Sequence, residues 1–295
     1  MLLYTENVLK FAFSKETTDY PFESSDFQKF GILGVPFDGT TSYIPGARFG
    51  PRTVREASYN FERYNLKINK NLDAEIIDMG DLEVVHGNFK KTCSKLKNTV
   101  DDILNMEIIP IIIGGDHSIS YCILKAISEK IDLKNLTVIH FDAHMDMREE
   151  YLGEKYSHAT VMHRIIDLEP KEIIQIGIRS ADEEEFNFAK ENLKIKTFSA
   201  EHVHDDQESI LKYLENVEGQ IFISLDIDVL DPAYAPSVGT PCSCGLDPKQ
   251  MEKFIMSFKG KNVVGMDILE VSSTEIGDIT ALNAAKIIYD FLCLQ

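Results

Sequence analysis

Short runs of β-branched and apolar residues recur along the whole chain, and amphipathic stretches separate most of them. The runs are FGILGVPF (30–37), AEIIDMG (74–80), EIIPIIIGG (107–115), LTVIHFDA (136–143), EIIQIGIR (172–179), KIKTFS (194–199), QIFISLDID (220–228) and NVVGMDILEV (262–271). Helices are predicted between them, near 52–65, 88–106, 118–130, 159–167, 182–192, 206–216, 248–258 and 278–293. Near-continuous apolar strands alternating with helices predict an α/β fold with a parallel sheet covered on both faces. This rhythm is common to an eight-stranded barrel and an open doubly wound sheet. In both, ligands gather at the C-terminal ends of the strands. No linker or break in composition interrupts the pattern, so residues 1–295 are expected to form a single domain.

Composition narrows the function. The chain has 295 residues, 44% hydrophobic and 26% charged, enough to bury a large core and too apolar for disorder. Its 48 acidic residues against 30 Lys and Arg leave a net charge of -18, which argues against nucleic acid and suits a cationic ligand. The five cysteines (Cys93, Cys122, Cys242, Cys244, Cys293) are odd in number and scattered, so no disulfide framework is expected. The N-terminal stretch carries Glu6 and no basic run, and the most apolar segment, 108–115, is too short for a bilayer. A cytoplasmic protein with no membrane partner is expected.

Four of the runs end in acidic or histidine-bearing motifs: GGDHS, HFDAHMD, SLDIDVLDP and MDILEV. Residues two apart in a strand share a face, with Cα atoms roughly 6–7 Å apart, so Asp142, His144 and Asp146 are expected to converge. Asp226 and Asp228 repeat the spacing, and His117 follows two glycines that allow a tight turn. Like charges on one strand face are costly to bury unless a cation compensates them. Six oxygen and imidazole donors without a thiolate favour Mn²⁺, with Fe²⁺, Co²⁺ and Zn²⁺ as alternatives, and paired ions would suit metal-assisted hydrolysis. Other residues carry less. His140 is expected to be a buried structural histidine, His202 and His204 to be solvated in a polar connection, and Cys242 and Cys244 to be free thiols.

These four motifs, with GVPFDGTTSYIPGARFGPRTVR (34–55), resemble the ureohydrolase family of arginases and agmatinases over roughly residues 30 to 293. The resemblance implies a three-layer α/β/α sandwich with an eight-stranded, mostly parallel sheet, and a homo-oligomer, a trimer or hexamer. It implies two Mn²⁺ per chain, held by His117, Asp142, His144, Asp146, Asp226 and Asp228, with Asp142 and Asp226 bridging. His158, on an exposed loop, matches a histidine that relays protons at the mouth of the site, and Glu270 matches a glutamate that grips the substrate guanidinium. Asp146 would pass a proton to the departing amine.

The substrate implied is a small guanidino cation, with agmatine, cleaved to urea and putrescine, most similar. Arginases have an Asn where this chain has Arg148, and the DAHxDxR form resembles agmatinases. Many agmatinases read GTPEPGGL where this chain has GTPCSCGL (239–246). Arginine, guanidino acids and formimino compounds are the alternative substrates, and a catalytically idle binding subunit is a further one. Glu149 or Glu150 would attract the ammonium of agmatine.

Overall fold

A computed structural model of the protein describes residues 9–15 and 28–295. In chain order its strands are β1 (Lys29–Gly34), β2 (Tyr64–Asn65), β3 (Lys70–Asn71), β4 (Glu75–Asp81), β5 (Ile109–Ile113), β6 (Leu136–Phe141), β7 (Glu172–Ile178), β8 (Ile195–Ser199), β9 (Gln220–Asp226) and β10 (Asn262–Leu269). Its helices are α1 (Gly50–Ser58), α2 (Phe89–Asn105), α3 (Ile119–Ile127), α4 (Val161–Ile166), α5 (Glu183–Glu191), α6 (Ala200–Glu215), α7 (Pro248–Met256) and α8 (Ile279–Cys293). All but β2 and β3 join one parallel sheet in the order β4-β1-β5-β10-β9-β6-β7-β8. The sheet is open, so the barrel alternative is ruled out. Each predicted strand is present.

Alternation along the strands builds two cores. Ile111 and Ile113 of β5, Ile139 and Phe141 of β6, and Ile221, Ile223 and Leu225 of β9 pack with α1, α6, α7 and α8. The intervening Ile112, Val138 and Phe222 pack with α2, α3 and α4 on the other face. A strand covered on both sides must be apolar at every position, hence the unbroken runs.

Three expectations need correction. The first helix stops at Ser58 rather than 65, and the following residues make the small antiparallel pair β2–β3. α6 starts at Ala200, where the Ser199 side chain accepts from the His202 N–H, and it kinks at Asp206, where the pattern predicted its start. His202 and His204 therefore lie on a helix, against Ser209 and against Cys244 and Gln250. Finally, Cys93 of α2 and Cys122 of α3 are disulfide-bonded, with Cα atoms 5.2 Å apart although 29 residues separate them. Helix packing brings the two together; Cys242, Cys244 and Cys293 are free. Among the described residues no helix is long and apolar enough to cross a membrane.

The early motif also supplies a structural strut. Arg55 of α1 is buried, and its guanidinium donates to both oxygens of Asp78 at 2.7 and 2.9 Å and to Asp81 at 2.6 Å. Arg55→Met should cost about 3–5 kcal/mol in denaturant unfolding, because Asp78 would keep a buried charge with no counterion. A loss below about 1 kcal/mol would show that water reaches Asp78.

Candidate metal centre and active site

The predicted donors converge, but not by strand periodicity. β6 ends at Phe141 and β9 at Asp226, so Asp142, His144, Asp146 and Asp228 all lie beyond their strands. Tight turns do the aiming. Asp142 Oδ1 accepts from the His144 N–H at 2.6 Å, and Asp226 Oδ1 accepts from the Asp228 N–H at 2.9 Å. Asp146 sits in the left-handed region at φ 53°, its carbonyl accepting from Met162 and its neighbour Met147 donating to Glu185. The two glycines before His117 serve close approach rather than unusual φ. A Cβ on Gly115 would collide with the Phe37 carbonyl, and one on Gly114 with Leu269.

Two groups of ligand-type atoms result. His117 Nδ1 lies 3.1 Å from Asp142, 3.3 Å from Asp146 and 3.4 Å from Asp226. His144 Nδ1 lies 3.0 Å from Asp228 and 3.4 Å from Asp142. Asp142 is common to both. All are buried except His144, which is a quarter exposed.

Protein groups alone leave this cluster short of positive charge. Burial pushes the Asp146 carboxyl up to about 7, with the charge of Asp142 adding to the effect. Burial, then Asp228 and Asp142, holds Asp226 well above the usual carboxylate range. Asp142 moves the other way: burial would raise it, but His140, His117 and His144 outweigh that and hold it low. Burial opposes a charge on His117 and His144, yet their carboxylate neighbours push both upward. His117 Nδ1 is buried with no hydrogen-bond partner, although three carboxylates surround it. A buried ring nitrogen without a hydrogen-bond partner among three carboxylates, with oxygen-rich donors and no thiolate, fits hard or borderline divalent cations.

His140 is close enough to be counted with this cluster. Both of its ring nitrogens are already engaged, however. Nε2 is 2.8 Å from Asp142 Oδ2, and Nδ1 lies 3.1 Å from Gln175 Nε2, whose amide also donates to the Met145 carbonyl. Burial lowers its basicity, so a neutral ring donates from Nε2 and accepts at Nδ1. Thr197 donates to Gln175 Oε1 at 3.1 Å and completes the line behind Asp142. Gln175, Thr197 and Ser224 were not among the predicted site residues; the signal for each was a polar residue inside an otherwise β-branched strand.

The remaining predicted residues line a cavity of about 190 Å³ that opens onto the cluster. Glu270 is buried, at φ 65°, and its Oε1 accepts from the His117 N–H at 2.8 Å. Burial, then Asp116, pushes its carboxyl well above the usual range. A Cβ on Gly239 would stand 3.1 Å from Glu270 Oε2, so glycine there keeps the carboxylate face open. His158 is half-buried in a short 3₁₀ turn, not on an exposed loop, with Thr40, Ser42 and Ser157 hydroxyls at 3.2–3.4 Å from its ring nitrogens. Burial lowers its pKa to about 4, so the ring is neutral throughout the physiological range.

At the outer end, Arg148 pairs with Asp182 at 2.6 Å and Glu185 at 3.6 Å and lies over the Tyr151 ring. Glu149 and Glu150 line a neighbouring cleft of about 280 Å³ rather than this cavity, and Glu185 lines both. The Cys242 thiol is absent from the cavity lining, and its carbonyl is held by Arg179, which also binds the carbonyls of Asp228 and Val229.

The chain is similar to known proteins over nearly its whole length. It is 48% identical to an uncharacterized 32.2 kDa protein of Methanothermus fervidus, over 96% of this chain and 98% of that one. It is 37% identical to the N(1)-aminopropylagmatine ureohydrolase of Thermococcus kodakarensis, over 97% of this chain and 95% of that one. The crystal structure of the agmatine ureohydrolase of Thermoplasma volcanium superposes with a TM-score of 0.85 at 31% identity, covering 98% of this chain and 94% of that chain. Residues 28–293 match the Arginase family, and the chain belongs to it, a family of metal-dependent hydrolases acting on guanidino compounds.

Proposed function

We propose that this protein is a cytoplasmic, homo-oligomeric agmatinase, a binuclear-manganese enzyme that hydrolyses agmatine to putrescine and urea. His117, Asp142, Asp146, Asp226, His144 and Asp228 would hold the two ions, Asp142 being common to both donor groups. When bound, the ions supply the Lewis acidity that makes water a nucleophile near neutral pH. Glu270 grips the guanidinium through charge-assisted hydrogen bonds and fixes its carbon toward the cluster. Asp146 accepts the proton of the attacking water and delivers it to the departing amine. A C–O bond forms, the C–N bond to the tail breaks, and urea and a free amine leave. His158 passes protons between the cavity and solvent.

The observation that carries the substrate reading is the state of Arg148. Among the described residues it is the only arginine or lysine lining the cavity, and Asp182 and Glu185 already neutralise it. A substrate carboxylate would have to displace those acids, whereas an ammonium meets a net negative wall. Agmatine should therefore exceed arginine in kcat/KM by at least about a hundredfold, or roughly 3 kcal/mol. A urea-release assay with Mn²⁺ over a panel of guanidino compounds tests this; preference for arginine or a guanidino acid would refute it. The cleft beside Arg148 supports a second reading, a longer cationic tail such as aminopropylagmatine, the compound named for the Thermococcus relative.

His158 sets a separate expectation. His158→Asn should lower kcat by roughly tenfold to ten-thousandfold, the reach of a positioned acid–base group. Because the ring is neutral above about pH 4, the variant should keep the parent's rise in rate toward alkaline pH. Loss of that limb would show that His158 itself titrates there.

A further inference from the structure

Beneath the cluster, the sheet carries a buried polar row. Asp267 of β10, Ser224 of β9, His140 of β6, Gln175 of β7 and Thr197 of β8 are register partners across five adjacent strands. The Thr197–Gln175–His140 part ends on Asp142. The other part begins at Asp267, which is fully buried three residues before Glu270. Its Oδ1 accepts from the Leu225 N–H at 3.3 Å, its Oδ2 has no hydrogen-bond partner, and its register partner on β9 is Ser224. Ser224 Oγ lies 3.0 Å from His117 Nε2 and 3.3 Å from Ser120 Oγ.

We propose that Asp267 is a positioning residue for the metal centre, acting through Ser224 to decide which ring nitrogen of His117 faces the donor cluster. The inference rests on the metal reading above. A serine hydroxyl has one proton to give and accepts freely, whereas an ionised carboxylate only accepts. Beside an ionised Asp267, the Ser224 proton points away from His117, toward Ser120, and Ser224 accepts from His117 Nε2–H. The Nδ1 lone pair then faces Asp142, Asp146 and Asp226, as a metal ligand must. Reversing the line would let Ser224 donate to Nε2 and place a proton on Nδ1, against an incoming cation. Such outer hydrogen bonds fix the tautomer of ligating histidines and typically change metal affinity 10–100-fold.

Asp267→Asn is nearly isosteric and reverses the line, because its amide donates where the carboxylate accepted. Manganese titration of the chelator-stripped full chain should show one of two ions weakened by about 10–100-fold and the other unchanged. The metal-free variant should melt no lower than the parent, since a buried charge with an unpartnered oxygen has been removed. Opposite directions in metal affinity and metal-free stability are a signature that a purely structural role would not give. Asp267→Ala, which removes the acceptor without adding a donor, should weaken the same ion less, and it serves if the Asn variant does not fold. Affinities within twofold of the parent, or a lower metal-free melting temperature with affinities intact, would overturn the role of Asp267. A parent that binds no divalent ion would instead overturn the metal reading, and the inference with it.

Discussion

Glu270→Gln is expected to lower kcat/KM by about a hundredfold to a few thousandfold for every guanidino substrate. Breaking a buried charge pair costs roughly 3–5 kcal/mol, and a guanidinium bound against a neutral amide is such a broken pair. The loss should be the same for agmatine and for tail-altered analogues, since the head group alone is tested. Steady-state kinetics over three or more tails decides it. A loss confined to one tail would move Glu270 out of the head-group role. Stability should shift in the opposite sense. Burial and the charge of Asp116 push the Glu270 carboxyl up in the metal-free fold, so the neutral amide relieves a penalty there. The metal-free variant should melt at or above the parent.

Chelation should bring urea release to background, and two Mn²⁺ per chain should restore it. One tightly held Zn²⁺ with full activity would overturn the binuclear reading. The pH dependence of stability gives an independent check. Asp146, Asp226 and Glu270 are raised in the metal-free fold, against unfolded values near 4. A raised group contributes stability that is fully present below its unfolded pKa and lost as pH climbs through its folded pKa, about 7 for Asp146. His117 and His144, also raised, act in the same direction from about pH 6.5 upward. Asp142 is depressed, so its contribution is lost only at acid pH, below about 4. Metal binding runs the other way, because the ligands must be deprotonated. The melting temperature gained on adding Mn²⁺ should therefore widen from pH 5.5 to pH 8, by on the order of 5 °C or more. A gap that is flat or narrows with pH would argue that the cluster is not where the metal binds.

The sheet and its eight helices were legible because a strand buried on both faces has no polar option, and amphipathic helices repeat every 3.6 residues. What failed was local. The residues after Ser58 turn into a hairpin because nothing in the helical pattern marks where tertiary contact stops supporting a helix. The kink at Asp206 joined two helical pieces that periodicity divided. The pairing of Cys93 with Cys122 needed α2 and α3 to be placed side by side, and spacing along a chain carries no such information.

For the site, residue types alone determined a good deal. Four acids and two histidines at the ends of apolar strands are too costly to bury without cations, and that argument needs no coordinates. Strand order put the acids on one rim, because parallel strands present all their C-terminal ends together. The tertiary structure alone decided how the donors point, which nitrogen of His117 is left without a partner, and that Arg148 is spent on Asp182 and Glu185. It also turned His158 from a solvated residue into a neutral, half-buried one. Direction, burial and charge state depend on atoms tens to hundreds of residues apart in the chain, and only folding sets those distances.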